Sequence, residues 1–292
     1  MRVFVTGASG WIGSAVVPEL IKAGHRVTGL ARSDASAVAV AAAGAEVLRG
    51  DLADLDTLRA GATAADAVIH LAFVHDFTAF DASIRTDARA AEALGEALEG
   101  SGKPLVVAHG TPAAPGRTAT EHDRSAPGSL GAGREENAAA VLALAERGVR
   151  PSVVRLPRTV HGDGDHGFIA QLVTTARAKG VSGYVGDGSQ RWPAVHVRDA
   201  ARLFRLAAEQ APSGSMLHAV GDEGVPTRDI AAVIGRHLSL PTAAAPAEDF
   251  GFLGGILAVD QPASSTFTQH LLDWHPTGPG LLEDLESGHY FR

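Results

Sequence analysis

The sequence predicts an α/β protein built on a doubly wound parallel sheet. Short apolar runs alternate with alanine-rich stretches that favour helices through the first half of the 292-residue chain. The first apolar run ends in a cluster of glycines, and a helical pattern follows directly. Alternating strands and helices cover both faces of a parallel sheet, and right-handed crossovers between the strands give the doubly wound order.

Six apolar runs indicate the strands of this sheet: residues 2–6, 26–30, 45–49, 67–71, 104–109 and 151–156. The stretches between them indicate helices: about 12–23, 34–43, 54–61, 80–100 and 134–147. Ligands of such sheets bind beyond the carboxyl ends of the strands, where the strand order reverses. We therefore expect the functional site at that edge.

The segment MRVFVTGASGWIG joins the first strand to the first helix through Gly7, Gly10 and Gly13. Gly7 permits a tight turn, Gly10 leaves no side chain between the backbone and a phosphate, and Gly13 lets the helix pack closely on the strand. The helix N-terminus offers free N–H groups and a partial positive charge to an anion. This context predicts a Rossmann-type dinucleotide site, with a plain strand–helix connection as the alternative.

The pattern loosens after Leu156, where glycines become frequent. A short strand is predicted near 194–197, and Asp199 is the expected N-cap of the helix that follows. Further elements are predicted at 215–220 and 226–238, before a tail rich in proline and glycine from 241. We expect residues 1–160 to form the Rossmann domain. Residues 161–292 are expected to form a smaller, closely packed substrate-binding lobe with discontinuous contributions.

Composition excludes several classes of function. The formal net charge of −8 gives no basic surface for nucleic acid or for an anionic membrane. No apolar run reaches the length that spans a membrane, and the first apolar run is a strand rather than part of a signal peptide. The absence of cysteine excludes disulfides, thiolate catalysis and cysteine-bound metals. A cytoplasmic enzyme is the simplest interpretation.

The end of the second strand indicates which dinucleotide binds. Sites specific for NAD place an acidic residue there to accept from the ribose hydroxyls, whereas this chain has Arg32 and Ser33. A guanidinium and a hydroxyl suit a 2′-phosphate, which predicts NADP(H); the alternative makes Arg32 a solvated charge. Asp34 is expected to cap the next helix. Asp51 lies either beside the adenine amino group or in a plain turn.

Five segments of the chain form a recognisable series: TGASGWIG at 6–13, GDL at 50–52, HLA at 70–72, RLPRTVHG at 155–162 and VHVRDAARLF at 195–204. They resemble segments of the extended short-chain dehydrogenase/reductases, the group of NAD(P)-dependent epimerases, dehydratases and reductases. Their order and spacing are similar to those of the family from residue 1 to about 240.

The resemblance implies which residues contact the cofactor. It places GDL near the adenine, HLA at a strand end beside the cofactor, and parts of RLPRTVHG next to the nicotinamide. Together with the strand-end residues, the candidate cofactor-binding residues are Gly7, Ser9, Gly10, Trp11, Ile12, Gly13, Arg32, Ser33, Asp51, Leu52, Leu71, Ala72, Phe73, His109, Leu156, Pro157 and Val160.

The chain departs from the family at the catalytic pair. The family's proton donor is a tyrosine four residues before a lysine, on the helix that precedes the sixth strand. This chain has only Tyr184 and Tyr290, both outside that helix, and Arg134 falls at or near the lysine position. Thr111, just past the end of the fifth strand, stands at the family's catalytic Ser/Thr.

Three catalytic candidates follow: Thr111, His75 and Arg134. Thr111, His75 or a water that they hold is a replacement for the missing donor. A well-placed general acid contributes about 10²–10⁴-fold, so its loss weakens catalysis without abolishing it. Arg134 titrates too high to act as an acid. Its expected role is a hydrogen bond to a ribose hydroxyl or a substrate oxygen, and the alternative is a helix-start charge paired with a neighbouring Glu.

The thirteen histidines do not indicate a metal site. None shows the His-x-x-x-His spacing with a carboxylate that a helix-borne zinc site needs. The segment HGDGDH at 161–166 is similar in position to the family's Val-Tyr-Gly segment, which favours a substrate loop over a metal site.

These observations predict an NADPH-dependent reductase that transfers hydride to a C=O or C=N carbon of a small molecule. The alternatives are a sugar-nucleotide epimerase or dehydratase and a non-catalytic NADP-sensing protein. The epimerase and dehydratase reactions need a strong base, and the family's tyrosine is missing here. The resemblance also implies a homodimer through the helices at 80–100 and 134–147.

Overall fold

The computed structural model describes residues 1–74, 79–128 and 131–292. Its strands are, in chain order, β1 (Arg2–Thr6), β2 (Arg26–Ala31), β3 (Glu46–Arg49), β4 (Ala67–His70), β5 (Pro104–Gly110), β6 (Arg150–Leu156), β7 (Thr159–His161), β8 (Ser182–Tyr184), β9 (Arg191–His196), β10 (Ser215–His218), β11 (Asp222–Pro226) and β12 (Thr242–Ala244). Seven of them form one parallel sheet in the order β10-β6-β5-β4-β1-β2-β3. The doubly wound α/β class and its six predicted strands are confirmed.

The order of the strands reverses between β1 and β4. From β1 the chain moves outward through β2 and β3, and it then returns to place β4 on the other side of β1. This reversal leaves a crevice beyond the carboxyl ends of the two strands. Thr6 and His70 end these strands and lie opposite each other in register, so they mark the centre of the crevice.

The helices are α1 (Gly13–Lys22), α2 (Asp34–Ala42), α3 (Leu55–Ala64), α4 (Phe80–Glu96), α5 (Ala132–Ala143), α6 (Phe168–Lys179), α7 (Val197–Gln210), α8 (Thr227–Leu238), α9 (Phe252–Leu257), α10 (Thr266–Leu272) and α11 (Leu281–Glu286). Helices α1 and α7 cover one face of the sheet, where Leu20 and Phe204 are fully buried. Helices α3, α4 and α5 cover the other face, around Leu58 and Leu94. The two cores hold the strand ends in place from both sides.

The chain beyond residue 160 contributes to both parts of the molecule. Strands β7, β9 and β11 form a small sheet, β8 pairs with β12, and α6, α8 and α11 pack around the buried Trp192. In contrast, β10 pairs with β6 at the edge of the large sheet, and α7 packs against α1. The smaller lobe is therefore interrupted by elements that complete the large sheet.

The N-cap of α2 differs from the prediction. Ser33, rather than Asp34, is the cap: its Oγ accepts from the Ser36 N–H at 3.1 Å, and Ser36 Oγ accepts from the Ser33 N–H at 2.9 Å. This reciprocal pair satisfies two backbone donors at once, which a carboxylate one residue further along cannot do.

Asp199 is also not a cap. Helix α7 begins at Val197, after the N-cap His196, and Asp199 lies buried within the first turn. Its carboxylate accepts from the backbone N–H groups of Thr277 and Gly278 at 3.0 and 2.7 Å. Asp199 therefore fixes the tail of the chain to α7, which covers one face of the large sheet.

His218, at the end of β10, couples folding stability to pH. The residue is fully buried and its Nδ1–H donates to the Ser264 carbonyl oxygen at 2.8 Å. Burial lowers the pKa of His218 from 6.5 to about 4. Between these values the unfolded chain binds a proton that the folded protein does not. The neutral, buried imidazole therefore makes its full contribution to the free energy of unfolding above about pH 6.5, and this contribution is lost as the pH falls towards 4.

We expect the free energy of unfolding to fall by about 3 kcal/mol between pH 6.5 and pH 4 because of His218. Urea unfolding at a series of pH values measures this change. His218→Asn removes the titrating group and should flatten the acid limb of the profile. His270→Asn, at an exposed position, should leave the profile as in the wild type. Identical profiles for wild type and His218→Asn would show that the buried imidazole does not carry the effect.

Candidate active site

The glycine turn between β1 and α1 packs closely at two of its three glycines. Gly7 has a φ of +69°, and a Cβ there would come within 2.7 Å of the Ala72 backbone nitrogen. A Cβ on Gly13 would collide with the Gly7 carbonyl oxygen. Among the described residues, a Cβ on Gly10 would meet only that same oxygen, at 3.2 Å. The turn therefore leaves space over Gly10 at the start of α1, which fits the pyrophosphate of a dinucleotide.

Two arginines flank the carboxyl end of β2. Arg32 is exposed and has no hydrogen bond or ion pair with any described residue. Arg49 ends the adjacent strand β3 and donates to the Ser33 carbonyl oxygen at 2.7 Å and to Asp34 Oδ1 at 2.8 Å. Sequence reasoning missed Arg49, although its place at the end of a neighbouring strand was an available signal. The Ser33 hydroxyl is already engaged in the cap of α2.

Asp51 shapes the turn after β3. Its Oδ1 accepts from the Ala53 N–H at 3.0 Å, and the residue itself is exposed. Leu52 beside it is buried in the core. The geometry gives Asp51 the turn role that the sequence left open, and its contact with adenine stays a prediction.

A buried polar chain joins the ends of β1 and β4 to α4. Thr6 Oγ1 lies 2.7 Å from His70 Nδ1, and His70 Nε2 lies 3.3 Å from Asp87 Oδ1. Burial opposes the ionisation of Asp87, but the contacts with His70 and Asn137 and the charge of Arg134 together outweigh it and hold the pKa of Asp87 below its usual value. Asn137 donates to the other carboxylate oxygen at 3.0 Å. Thr6 Oγ1 also accepts from the Ala72 N–H at 3.3 Å, so the chain fixes the β4 end against the glycine turn.

Arg134 lies in the first turn of α5 and is half-buried. Its Nη2 donates to the Ala108 carbonyl oxygen at 2.8 Å, and its guanidinium carbon lies 4.3 Å from the centre of the Phe73 ring. Burial lowers the pKa of Arg134, and the nearby Asp87 opposes that change. The neighbouring Glu135 binds Arg155 instead, at 2.8 and 3.0 Å. The predicted alternative, a helix-start pair between Arg134 and a neighbouring Glu, is therefore not formed with Glu135.

His109, near the end of β5, faces the same region. Its Nδ1–H donates to the Gly110 carbonyl oxygen at 2.7 Å, which leaves Nε2 as an acceptor without a partner among the described residues. Burial, and then the charge of Arg134, lower the pKa of His109. A cavity of about 10 Å³ lies between His109, Arg134 and Asp87, and its lining is completed by His70, Asn137 and apolar side chains. It has the room and the polar partners that one water molecule needs.

Thr111 follows β5 with an unused hydroxyl. Its N–H donates to the Leu156 carbonyl oxygen at 2.9 Å, and its own carbonyl oxygen accepts from Gln261 Nε2 at 2.5 Å. The residue is 7% exposed, and Oγ1 has no hydrogen-bond partner among the described residues. A buried hydroxyl left in this state costs free energy unless a ligand or water satisfies it. Thr111 Oγ1 therefore keeps an unused hydrogen-bonding hydroxyl just past the end of β5.

Trp11 connects the glycine turn to the smaller lobe. Its Nε1–H donates to the Val160 carbonyl oxygen at 2.7 Å. Val160 lies in β7, a few residues after Leu156 and the buried Pro157 at the end of β6. Two motifs that are distant in the sequence thus meet across the crevice. Ile12 is half-buried at the start of α1, and Ser9 is exposed on the turn.

The segment 161–166 is held by the end of the chain. His161 is fully buried, with Nδ1 2.9 Å from Asp284 Oδ2, so its side chain is not available to a substrate. Tyr290 donates to Asp165 Oδ2 at 2.7 Å. Burial, supported by Asp165, raises the pKa of Tyr290. Burial also raises the pKa of Asp165.

His75, the remaining catalytic candidate, lies outside the described residues. Within the three described ranges, no group of three or more His, Asp and Glu side chains is placed to hold a metal ion. In the same ranges, no helix is long and apolar enough to cross a membrane.

The arrangement of glycine turn, strand ends and Thr111 agrees with a comparison of the whole sequence. The model of the NAD dependent epimerase/dehydratase family matches residues 3–219. The chain belongs to this family. Its resemblance to the extended short-chain dehydrogenase/reductases is therefore confirmed, as is the Rossmann-type sheet.

Three similar proteins illustrate the range within this family. An uncharacterised protein of Schizosaccharomyces pombe is 46% identical over 297 residues and covers the full length of both chains. A 4-hydroxy-2-methyl-3-oxo-4-farnesyl-3,4-dihydroquinoline-1-oxide ketoreductase of Stigmatella aurantiaca is 31% identical over 74% of this chain and 67% of its own. The structure of MoeE5 in complex with UDP-glucose and NAD is 27% identical and has a TM-score of 0.80, covering 99% of this chain and 97% of that one.

Proposed function

We propose that the protein is an NADPH-dependent reductase that transfers hydride to a C=O or C=N carbon of a small organic substrate. The observation that carries this proposal is the setting of Arg134, which falls at or near the position of the family's lysine and contacts the Ala108 carbonyl oxygen and the Phe73 ring. A guanidinium stays protonated and cannot remove a proton from an alcohol. Reduction avoids that step, because the substrate oxygen gains a proton instead of losing one, and the protein has to stabilise the negative charge that develops on this oxygen until the proton arrives.

The residues of the crevice divide this work. The bound cofactor supplies the hydride, and the protein supplies binding, orientation and electrostatics. Thr111 Oγ1, buried and without a partner among the described residues, donates a hydrogen bond to the substrate oxygen. Arg134 holds a ribose hydroxyl or a substrate oxygen through its remaining N–H groups. A water held at the site passes on the proton, with His75 as the second candidate for that role.

The preference for NADPH is supported by Arg32, an exposed guanidinium without an ion pair to any described residue. Arg32→Asp should weaken NADPH binding by about 1.5–3 kcal/mol, because it replaces one charge-assisted contact with a repulsive charge. Arg26→Asp makes the same charge change at the exposed opposite end of β2 and serves as the control. Calorimetry that finds NADH bound by the unmodified protein as tightly as NADPH would contradict the assignment.

Two other functions remain as alternatives. The similarity to MoeE5, whose structure contains UDP-glucose and NAD, favours a reaction on a sugar nucleotide. A protein that binds NADP without chemistry is the other alternative, because the family's tyrosine is absent. Steady-state NADPH oxidation against ketones, aldehydes and cyclic imines, with a parallel incubation of UDP-glucose, separates the three. Turnover of UDP-glucose, or cofactor binding without any oxidation, would overturn the proposal.

A further inference from the structure

Arg158 is a half-buried guanidinium that no carboxylate of the described residues neutralises. It follows β6 in the sequence, between the buried Pro157 and β7. Its Nε donates to Gln261 Oε1 at 2.5 Å and its Nη1 to the Ile256 carbonyl oxygen at 3.3 Å. Within the described residues it has no ion pair with Asp or Glu. Burial lowers the pKa of Arg158 to about 10, with no acidic group to offset it.

The two other arginines of this region differ from Arg158. Arg155 is completely buried and is neutralised by Glu135, whose two carboxylate oxygens both accept from Arg155 Nη2. Arg134 has the charge of Asp87 nearby and the face of Phe73 beneath it. Removing a charge from water without a counter-ion is costly, and structures normally compensate it. Arg158 is thus a positive site at which a negatively charged ligand can act as the counter-ion.

Gln261 places this positive site beside the candidate catalytic hydroxyl. Its side-chain oxygen accepts from Arg158 and its side-chain nitrogen donates to the Thr111 carbonyl oxygen, both at 2.5 Å. Because Gln261 is itself buried and uses both ends of its amide, it fixes the separation of Arg158 and Thr111. The Nη2 atom of Arg158 has no hydrogen-bond partner in the described part of the chain and is not among its buried unpaired atoms, so it can contact a ligand.

We propose that Arg158 binds a carboxylate of the substrate, so that the protein acts on an oxo acid whose carbonyl carbon lies close to its carboxylate. This inference rests on the proposed reductase function, in which Thr111 contacts the carbonyl oxygen. A guanidinium edge with one nitrogen free and a second carrying only a long hydrogen bond matches the two oxygens of a carboxylate. The same contact orients the carbonyl towards Thr111, because Gln261 fixes the separation of the two residues.

A matched pair of substrates tests the carboxylate site. 3-Oxohexanoate and its methyl ester share a carbonyl and differ in charge. The wild type should reduce the acid with a kcat/KM about tenfold to hundredfold above that of the ester. Arg158→Gln should bring the two values together, mainly by raising the KM of the acid, and Arg158→Lys should keep part of the difference. A ratio that is the same in the wild type and Arg158→Gln overturns the proposal.

A second variant covers the case in which Arg158→Gln does not fold. Gln261→Glu is nearly isosteric and places a carboxylate against the guanidinium, so it should also reduce the preference for the acid. It perturbs Thr111 equally for both substrates, which the ratio cancels. An unchanged ratio in folded Gln261→Glu would count against the site.

A binding measurement separates this proposal from the reductase function itself. Calorimetry of 3-hydroxyhexanoate and 3-hydroxyhexanamide with the NADP⁺ complex needs no turnover, and the carboxylate should bind more tightly only when Arg158 is present. Arg158-dependent acid binding without reduction of any ketone would leave the anion site standing and remove the reductase. Reduction of acid and ester with equal efficiency would do the opposite.

Discussion

Gly10→Val is expected to abolish cofactor binding in a protein that still folds. Gly10 does not have a positive φ, and within the described residues its Cβ would meet only the Gly7 carbonyl oxygen, at 3.2 Å. A branched side chain therefore requires the Gly7 carbonyl oxygen to move by only a few tenths of an ångström, but it extends over the start of α1, where the pyrophosphate would lie. NADPH binding measured by calorimetry should fall below detection, while the thermal unfolding temperature should change little.

Gly13→Val is the matched variant with the opposite outcome. Its Cβ would collide with the Gly7 carbonyl oxygen and crowd Ala8, so the turn and α1 cannot keep their packing. We expect a loss of about 3 kcal/mol or more of stability, seen as a lower midpoint of urea unfolding. A Gly10→Val protein with normal NADPH affinity would remove the physical basis of the dinucleotide site. A Gly13→Val protein as stable as the wild type would show that the turn is not tightly packed.

The fold was predictable because its signals are local. Each strand of the first half is a short apolar run between helical stretches, and alternation alone fixes the class of the sheet. The errors concern residues whose role depends on a partner elsewhere. Asp34 and Asp199 are both aspartates, a residue type that is favoured at helix N-caps. Ser33 gains a reciprocal bond with Ser36, and Asp199 is taken by backbone donors almost eighty residues later.

The candidate site was predictable only along its motifs. The glycine turn and Thr111 lie in short segments that carry their own signal. Asp87 and Gln261 do not, because each acquires its role from a contact that the sequence does not display. Asp87 meets Asn137, which lies 50 residues away, and Gln261 meets Thr111 across 150 residues. The position of Asp87 at helical spacing from Ala91 and Leu94 was an available clue in the sequence to its burial.

The contacts of the segment 161–166 also involve residues that are far away in the sequence. Its resemblance to the family's Val-Tyr-Gly segment favours a substrate loop over a metal site, and that remains a prediction. In the folded chain α11 and the last residues return to it, so His161 binds Asp284 and Asp165 binds Tyr290. A tail rich in glycine and proline gives no indication of where it will pack. The partners of this segment can consequently be identified only from the structure.

Thr111→Val should lower kcat on a carbonyl substrate by about 10²–10³-fold with little change in KM, because the hydroxyl contact strengthens as charge develops on the oxygen. The change keeps the shape of the side chain and both backbone bonds, to Leu156 and from Gln261. The lost Oγ1 has no hydrogen-bond partner among the described residues, so stability should not fall. Unfolding measurements thus distinguish a catalytic loss from a structural one.

Two comparisons sharpen this test of Thr111. Thr111→Ser restores a hydroxyl and should recover much of the carbonyl activity. A permanently charged iminium substrate should lose less rate in Thr111→Val, because its nitrogen needs no proton during hydride transfer. Arg134→Ala should act mainly on substrate or cofactor binding, since a guanidinium holds a bound group in position by hydrogen bonds and does not give up a proton. Full carbonyl-reductase activity in Thr111→Val would eliminate this mechanism and leave His75 as the residue to test next.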